Sequence, residues 1–270
     1  MDKTSQFMGL PKPGGRASTP PAQSRDDDRQ EPRPSAHKTA HFKGVPRKAA
    51  PVVEVTSHSL HRSRMKDPRL CLASEPRSPR AAAFRVLRHH LLARGRPQVV
   101  AVTSANHREG KTTCAINLSM ALAEHEHARV LLIEANLARP SLAAILKLSP
   151  PACFAEQLAA HRQRPLIKWS VVEVPSLGVH VAAVNPRPQS PRTLDAPAFS
   201  LAIDHLRRAD YDHLIIDCPS VDGSADVNLI QDAADGVLLA VRGRQTTARA
   251  IERATHQLAP TKILGFALLH

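Results

Sequence analysis

No apolar run in this 270-residue sequence approaches the roughly 20 residues that span a bilayer, and no apolar segment follows Lys3 at the N-terminus. Neither a membrane helix nor a secretory leader is expected, and a cytoplasmic location follows. Cysteine is scarce: Cys71, Cys114, Cys153 and Cys218 lie far apart without a C-x-x-C pair, which argues against a disulfide frame and a zinc site. The histidines are scattered too; His89-His90, His125 and His127 lack the acid or thiol neighbours a metal would need. Aromatic residues make up 3%, with one Trp and one Tyr, so basic residues are not interleaved with stacking platforms and nucleic acid is not an expected partner. Acids are outnumbered, 24 against 37 Lys and Arg, giving a net charge of +13.

Much of that charge lies at one end. The first 80 residues hold 11 of the 23 prolines and 16 Lys and Arg against 8 Asp and Glu, which accounts for +8 of the total. Stretches such as Pro11-Lys12-Pro13-Gly14-Gly15 and Glu31-Pro32-Arg33-Pro34 bury too little apolar surface to offset the cost of ordering the chain. Residues 1–75 are therefore expected to be a disordered, basic, proline-rich extension, and 76–270 a single domain. From Gln98 onward, short apolar runs at 98–104, 130–134, 179–183, 213–217, 236–241 and 263–269 alternate with helical patterns at 112–124, 141–146, 199–208, 228–234 and 246–258. That rhythm predicts an α/β fold, a doubly wound and mostly parallel sheet flanked by helices, with ligands at the carboxyl ends of the strands.

One of those ends carries recognisable chemistry. The run Val99 to Ser104 breaks into Ala105-Asn106-His107-Arg108-Glu109 and closes on Gly110-Lys111-Thr112-Thr113 at the start of a helical pattern. A phosphate-binding loop needs a glycine where backbone crowds the anion, a lysine for the β/γ oxygens and a hydroxyl for Mg²⁺ above a helix N-terminus. Gly110, Lys111 and Thr112 supply these in order, although the pattern G-x-x-x-x-G-K-[ST] finds Ala105 at its first glycine. A second run, Tyr211-Asp212-His213-Leu214-Ile215-Ile216-Asp217, ends in an acid before Cys218-Pro219, the form of a buried strand that points a carboxylate at a nucleotide's metal.

From about Asp67 to Leu269 the sequence resembles the cytoplasmic kinase domain of the bacterial tyrosine kinases (BY-kinases) of capsular and exopolysaccharide export, P-loop ATPases of the MinD/ParA-like superfamily. The resemblance is carried in order by SPRAAAFRVLRHHL at 78–91, SANHREGKTT at 104–113, VLLIEANLARP at 130–140, Asn185-Pro186-Arg187-Pro188, YDHLIIDCPS at 211–220, Asp226 in SADVNLI, and DGVLLAVRGRQTT leading to ILGFALL. Septum-positioning and partitioning ATPases share the sheet but carry a lysine where Asn106 stands, which favours the kinase branch.

The resemblance implies an ATP and Mg²⁺ site in which residues 105–113 and Arg139 contact nucleotide. Thr112, Glu134 and Asp217 would meet the metal, and Lys111, Glu134 and Asp217 would serve catalysis. It implies as partner a membrane-embedded polysaccharide chain-length or export protein, with phosphoryl transfer to that partner's tyrosines, and a homo-oligomeric ring. The sequence departs from the family at four places. The second acidic motif offers Glu134, Asn136 and Arg139 for two aspartates, and an amide cannot take a proton near neutral pH. Ala82 replaces the glutamate that precedes Arg85 and Arg88 in the ring-forming pattern. His107-Arg108 stands where the family carries Pro-Gly. Tyr211 is the one tyrosine, in place of a tyrosine-rich tail, and is read as packing. Two alternatives follow: a pseudokinase that regulates a membrane export component in response to nucleotide, and a partitioning-type positioning ATPase.

Overall fold

Val, Ile and Leu fill β2 (Val99–Ser104), β3 (Val130–Glu134) and β6 (His213–Asp217) with side chains buried to both sides, the signature of parallel strands covered on both faces. In the computed structural model of the chain, which describes residues 51–59, 66–164, 168–185 and 193–270, these strands form the middle of one sheet with β1 (Val53–Ser57), β4 (Trp169–Val174), β5 (Val179–Ala182), β7 (Gly236–Arg242) and β8 (Ile263–Leu269). The strand order is β1-β4-β5-β3-β6-β2-β7-β8, parallel throughout except for β4 against β5. Helices α1 (Cys71–Ser74), α2 (Pro79–Ala93), α3 (Lys111–Ala123) and α4 (Leu142–Leu146) pack one face through a core that includes Phe84, Ile116, Leu118, Val100 and Leu132. Helices α5 (Phe154–Gln163), α6 (Ala196–Arg207), α7 (Asp226–Ala233) and α8 (Ala248–Gln257) pack the other through Phe154, Phe199, Leu206, Ala101 and Ile133. The doubly wound fold class read from the sequence is the fold observed.

Local chemistry sets the helix starts. Ser78 accepts from the Ala81 amide at 3.2 Å with Pro79 in the first turn of α2, and Asp195 accepts from the Ala198 amide at 2.9 Å with Pro197 in the first turn of α6. That cap begins α6 three residues before the apolar periodicity that starts at Phe199. Other elements, β1, α1, β4 and α5, escaped the periodicity altogether. In α5 the buried face includes Gln157 and His161, polar residues that blur a helical stripe. Gln157 belongs there because its amide pairs with both backbone groups of Ser170 in β4, at 2.7 and 2.9 Å.

Ordered elements lie on both sides of the boundary expected at residue 76. Residues 1–50 and 60–65 of the expected disordered extension lie outside the described residues, as do residues 186–188 of the Asn185-Pro186-Arg187-Pro188 segment. The described part of the extension is ordered: Val53–Ser57 pairs in parallel with β4, Val53 opposite Trp169, and Leu70, Cys71 and Leu72 are buried under α3. Composition missed this because the anchor is one buried amide. Asn117 accepts from the Leu72 backbone at 3.2 Å and the Cys71 thiol at 3.1 Å, and donates to the Arg69 and Thr113 carbonyls, both at 2.7 Å.

A chain starting at residue 76 loses Leu70 and Leu72 from the core and strips Asn117 of three partners. Compared with one starting at 48, it should be less stable by about 3 kcal/mol or more in denaturant titrations; equal midpoints would show that residues 66–75 carry no stability.

Candidate functional site

Three strands end together at the carboxyl edge. Asp217 of β6 stands in register with Val102 of β2 on one side and with Glu134 of β3 on the other, so two carboxylates finish adjacent strands. Both are fully buried. Burial of that kind is costly unless each charge is answered or protonated, and the two are answered differently.

Glu134 is consumed by backbone. One carboxylate oxygen accepts from the amides of Ser141 and Leu142, the latter at 2.7 Å, and the other accepts from the Val184 amide at 2.9 Å. Desolvation still raises its pKa, against which the three amide bonds act. Glu134, expected in catalysis and at the metal, has its oxygens bonded to backbone: they tie the start of α4 and the segment just after β5 to the end of β3. The longer arm of glutamate is what reaches those amides.

Asp217 is the opposite case. Its Oδ2 accepts from the Thr112 hydroxyl at 2.8 Å, while Oδ1 is buried with no hydrogen-bond partner among the described residues. Burial and the neighbouring Glu134 charge push its pKa up to about 7, opposed by the Thr112 hydrogen bond and the Lys111 charge. A hydroxyl, a bare carboxylate oxygen and a lysine within electrostatic reach make an oxygen donor set suited to a hydrated divalent cation beside an anion.

The loop above them is held from within. Gly110 adopts φ +88° as it enters α3, a conformation that favours glycine, and a Cβ there would displace the end of the Leu269 side chain, whose Cδ1 would lie 2.6 Å away. Glu109, 4% exposed, accepts from the Asn106 amide and side-chain Nδ2, both at 2.8 Å, and from the Thr246 hydroxyl at 2.7 Å. That staple spans the loop and anchors it to the turn after β7. Arg108 takes φ +62°, a left-handed conformation costing a non-glycine residue about 1 kcal/mol, and Arg242 donates to its carbonyl at 3.1 Å. Ala105 has no positive φ and sits buried, which explains why the missing glycine of the pattern leaves the loop intact. Its carbonyl accepts from the Asp222 amide at 2.9 Å, as the Ser104 carbonyl does from Val221. Lys111 and Thr113 lie in the first turn of α3, with Lys111 7% exposed.

Beside the loop opens a cavity of about 160 Å³, lined by His107, Asn136, Arg139, Pro219, Ser224 and Asp226 among others. The loop, Asp217 and Arg139 lie at one end of the sheet, and Glu134 stands beside Asp217 with its oxygens bonded to backbone amides. Thr246 and Ser220 fall inside segments that carry the resemblance but were given no role there; Ser220 lies in the turn after Asp217 and meets His107 at 3.1 Å. The two arginines expected to join a neighbouring copy are occupied within the chain. Arg85 forms a bidentate pair with Glu124 at 2.7 and 2.8 Å, and Arg88 donates to the Ala121 carbonyl at 2.8 Å. Tyr211 is buried with its hydroxyl 2.8 Å from His180 Nδ1, as a packing residue would be. No helix among the described residues is long and apolar enough to cross a membrane.

Two measurements check these assignments. Asp217 has a higher pKa folded than the roughly 3.9 of an unfolded chain, so its contribution to stability is greatest at low pH and is lost as pH rises from about 4 through about 7. Asp217→Asn should therefore flatten that decline in the ligand-free protein and raise stability at pH 8 by up to about 4 kcal/mol; an unchanged pH profile would place the charge elsewhere. Glu134→Ala should lose about 3 kcal/mol or more, because three buried amides lose their acceptor, and a wild-type denaturation midpoint would refute the clamp.

No family model matches the chain. It is 29% identical over 203 residues to the succinoglycan biosynthesis transport protein ExoP of Rhizobium meliloti, covering 72% of this chain and 25% of that one. It is 26% identical over 197 residues to the tyrosine-protein kinase YwqD of Bacillus subtilis, covering 71% and 81%. The chain thus spans about a quarter of the first relative and most of the second. Among solved structures, the kinase domain of the Escherichia coli tyrosine kinase ETK superposes with a TM-score of 0.61 at 21% identity over 74% of this chain and 78% of that one, a likeness of fold. The chain is thus similar in sequence to a named bacterial tyrosine kinase and to part of a polysaccharide biosynthesis transport protein, and similar in fold to a bacterial tyrosine kinase domain.

Proposed function

We propose that the protein binds ATP with Mg²⁺ at residues 105–113 and passes the γ-phosphoryl group to a hydroxyl acceptor, a tyrosine on a partner chain, in capsule or exopolysaccharide biosynthesis. The observation that carries this reading is the Thr112–Asp217 contact at 2.8 Å with the second Asp217 oxygen bare and buried beside Lys111. Loop amides at the N-terminus of α3 and the Lys111 ammonium would receive the phosphate oxygens. Thr112 and Asp217 would hold the metal, which when bound supplies charge neutralisation and in-line alignment of the triphosphate. Arg139, which lines the cavity, would meet the γ-phosphate. The partner we infer is a membrane-embedded polysaccharide chain-length or export protein, a reading supported by the match to part of a biosynthesis transport protein. It would also bring this chain to the inner face of the membrane.

A second reading is favoured by one specific observation: Glu134 is spent on backbone amides and Asn136 carries no proton acceptor, so neither supplies the acid base of the related motif. Under it, the protein is a nucleotide-dependent regulator with no useful chemistry, and ATP shifts its assembly state.

Lys111→Ala should abolish ATP·Mg²⁺ binding in a calorimetric titration while leaving the fold intact, since the anion loses its full charge at the loop. Unaltered affinity would reject the site. Phosphate release by the wild-type chain separates the two readings.

A further inference from the structure

Arginines crowd one corner of the sheet with few acids to answer them. Residues 242–270 carry Arg242, Arg244, Arg249, Arg253 and Lys262 against a single acid, Glu252. Lys262 donates to the Ala234 carbonyl before β7 begins. The four arginines are exposed, and no carboxylate among the described residues pairs with Arg244, Arg249 or Arg253, or with Arg108 on the neighbouring loop. Arg242 donates to the Arg108 carbonyl at 3.1 Å and the Gly243 amide to the Leu269 carbonyl at 2.8 Å, which draws the loop, the turn after β7 and the end of β8 together. Arg249 and Arg253 stand one turn apart on the solvent side of α8, whose buried side holds Ala250 and Ala254. Apolar side chains share this corner. Phe266 and Leu268 of β8 lie opposite Leu239 and Val241 of β7, and Leu239 packs in the core beneath α8, so both point to the α8 side of the sheet. They are 45% and 59% exposed because the strand order ends at β8.

We propose that this corner seats on an anionic lipid surface, the arginines meeting headgroup phosphates while Leu268 and Phe266 enter the boundary between headgroups and acyl chains. Charge and polarity together select that partner. Phosphate headgroups answer guanidinium groups with charge-assisted hydrogen bonds, and the apolar layer just below them takes exposed Leu and Phe side chains. A second copy of the chain would set like charges against each other. Duplex DNA would answer the arginines but leave Leu268 and Phe266 in water. Seating needs neither a bound nucleotide nor the membrane-embedded partner proposed above, and it would set the loop, joined to the patch through Arg242, on the lipid side of the molecule.

The test sediments the full chain, without nucleotide, with vesicles of phosphatidylcholine containing one-third phosphatidylglycerol and with vesicles of phosphatidylcholine alone. Binding to the anionic vesicles only is expected, and it should weaken as salt rises. The triple variant Arg244→Gln, Arg249→Gln, Arg253→Gln should weaken it by about 10²-fold, and Leu268→Asp by about tenfold. Taking the same charge from the exposed Arg77, Arg80 and Arg94, at and around α2, should change affinity by less than about threefold. A polarity-sensitive dye on Leu268→Cys, in a chain whose four natural cysteines are buried, should shift to the blue on anionic vesicles. Absence of binding to anionic vesicles, wild-type affinity in either patch variant, equal weakening by both arginine triples, or a dye that stays in water on the bound protein would each overturn the proposal. Capture by duplex DNA in place of vesicles would overturn it as well.

Discussion

Two carboxylates in register at the ends of neighbouring strands cannot both be left bare in a fully buried place, and the arrangement of this site follows from how that conflict is resolved. Glu134 is surrounded by three backbone amides and turned toward the start of α4. Asp217 is left half satisfied, with one oxygen on Thr112 and the other empty beside a lysine. The amides that stabilise the first carboxylate allow the second to stay incomplete. A cation at Asp217 would relieve a cost that the folded chain otherwise meets by holding a proton up to about pH 7.

The loop shows the same division between built and unbuilt parts. Glu109 is internal scaffolding: its carboxylate takes the Asn106 amide and the Thr246 hydroxyl, joining the loop to the turn after β7. Arg108 holds a conformation that glycine takes freely, and Arg242 secures its carbonyl. The departures from the family pattern at 105 and 108 thus keep the backbone path, while those at 134 and 136 change which groups face the cavity.

The sheet and the loop were legible in the sequence because their signals are local. An apolar run of six residues, a glycine–lysine–threonine at a helix start and an acid closing a strand depend on neighbours in the chain, and the observed β2, α3 and β6 lie within a residue or two of where those patterns put them. The ordered stretch before residue 76 was not legible, because its order comes from Asn117 across 45 or more residues and from pairing of β1 with a strand more than a hundred residues away. Helix α5 was hidden by Gln157 and His161, polar residues whose burial makes sense only against β4. Arg85 and Arg88 likewise meet Glu124 and the Ala121 carbonyl within the chain, contacts that helix periodicity cannot reveal.

By itself the order of residues determined the alternation of strands and helices, the position of the phosphate-type loop and the identity of the strand-ending acid, since each is encoded within a window of some ten residues. Tertiary structure alone decided which acid stays available. Glutamate and aspartate at 134 and 217 read alike as buried strand ends, and only the amides of residues 141, 142 and 184, brought from elsewhere in the chain, satisfy one and leave the other reactive. Hydrogen-bond satisfaction is a property of the surroundings in three dimensions, and no residue type carries it in advance.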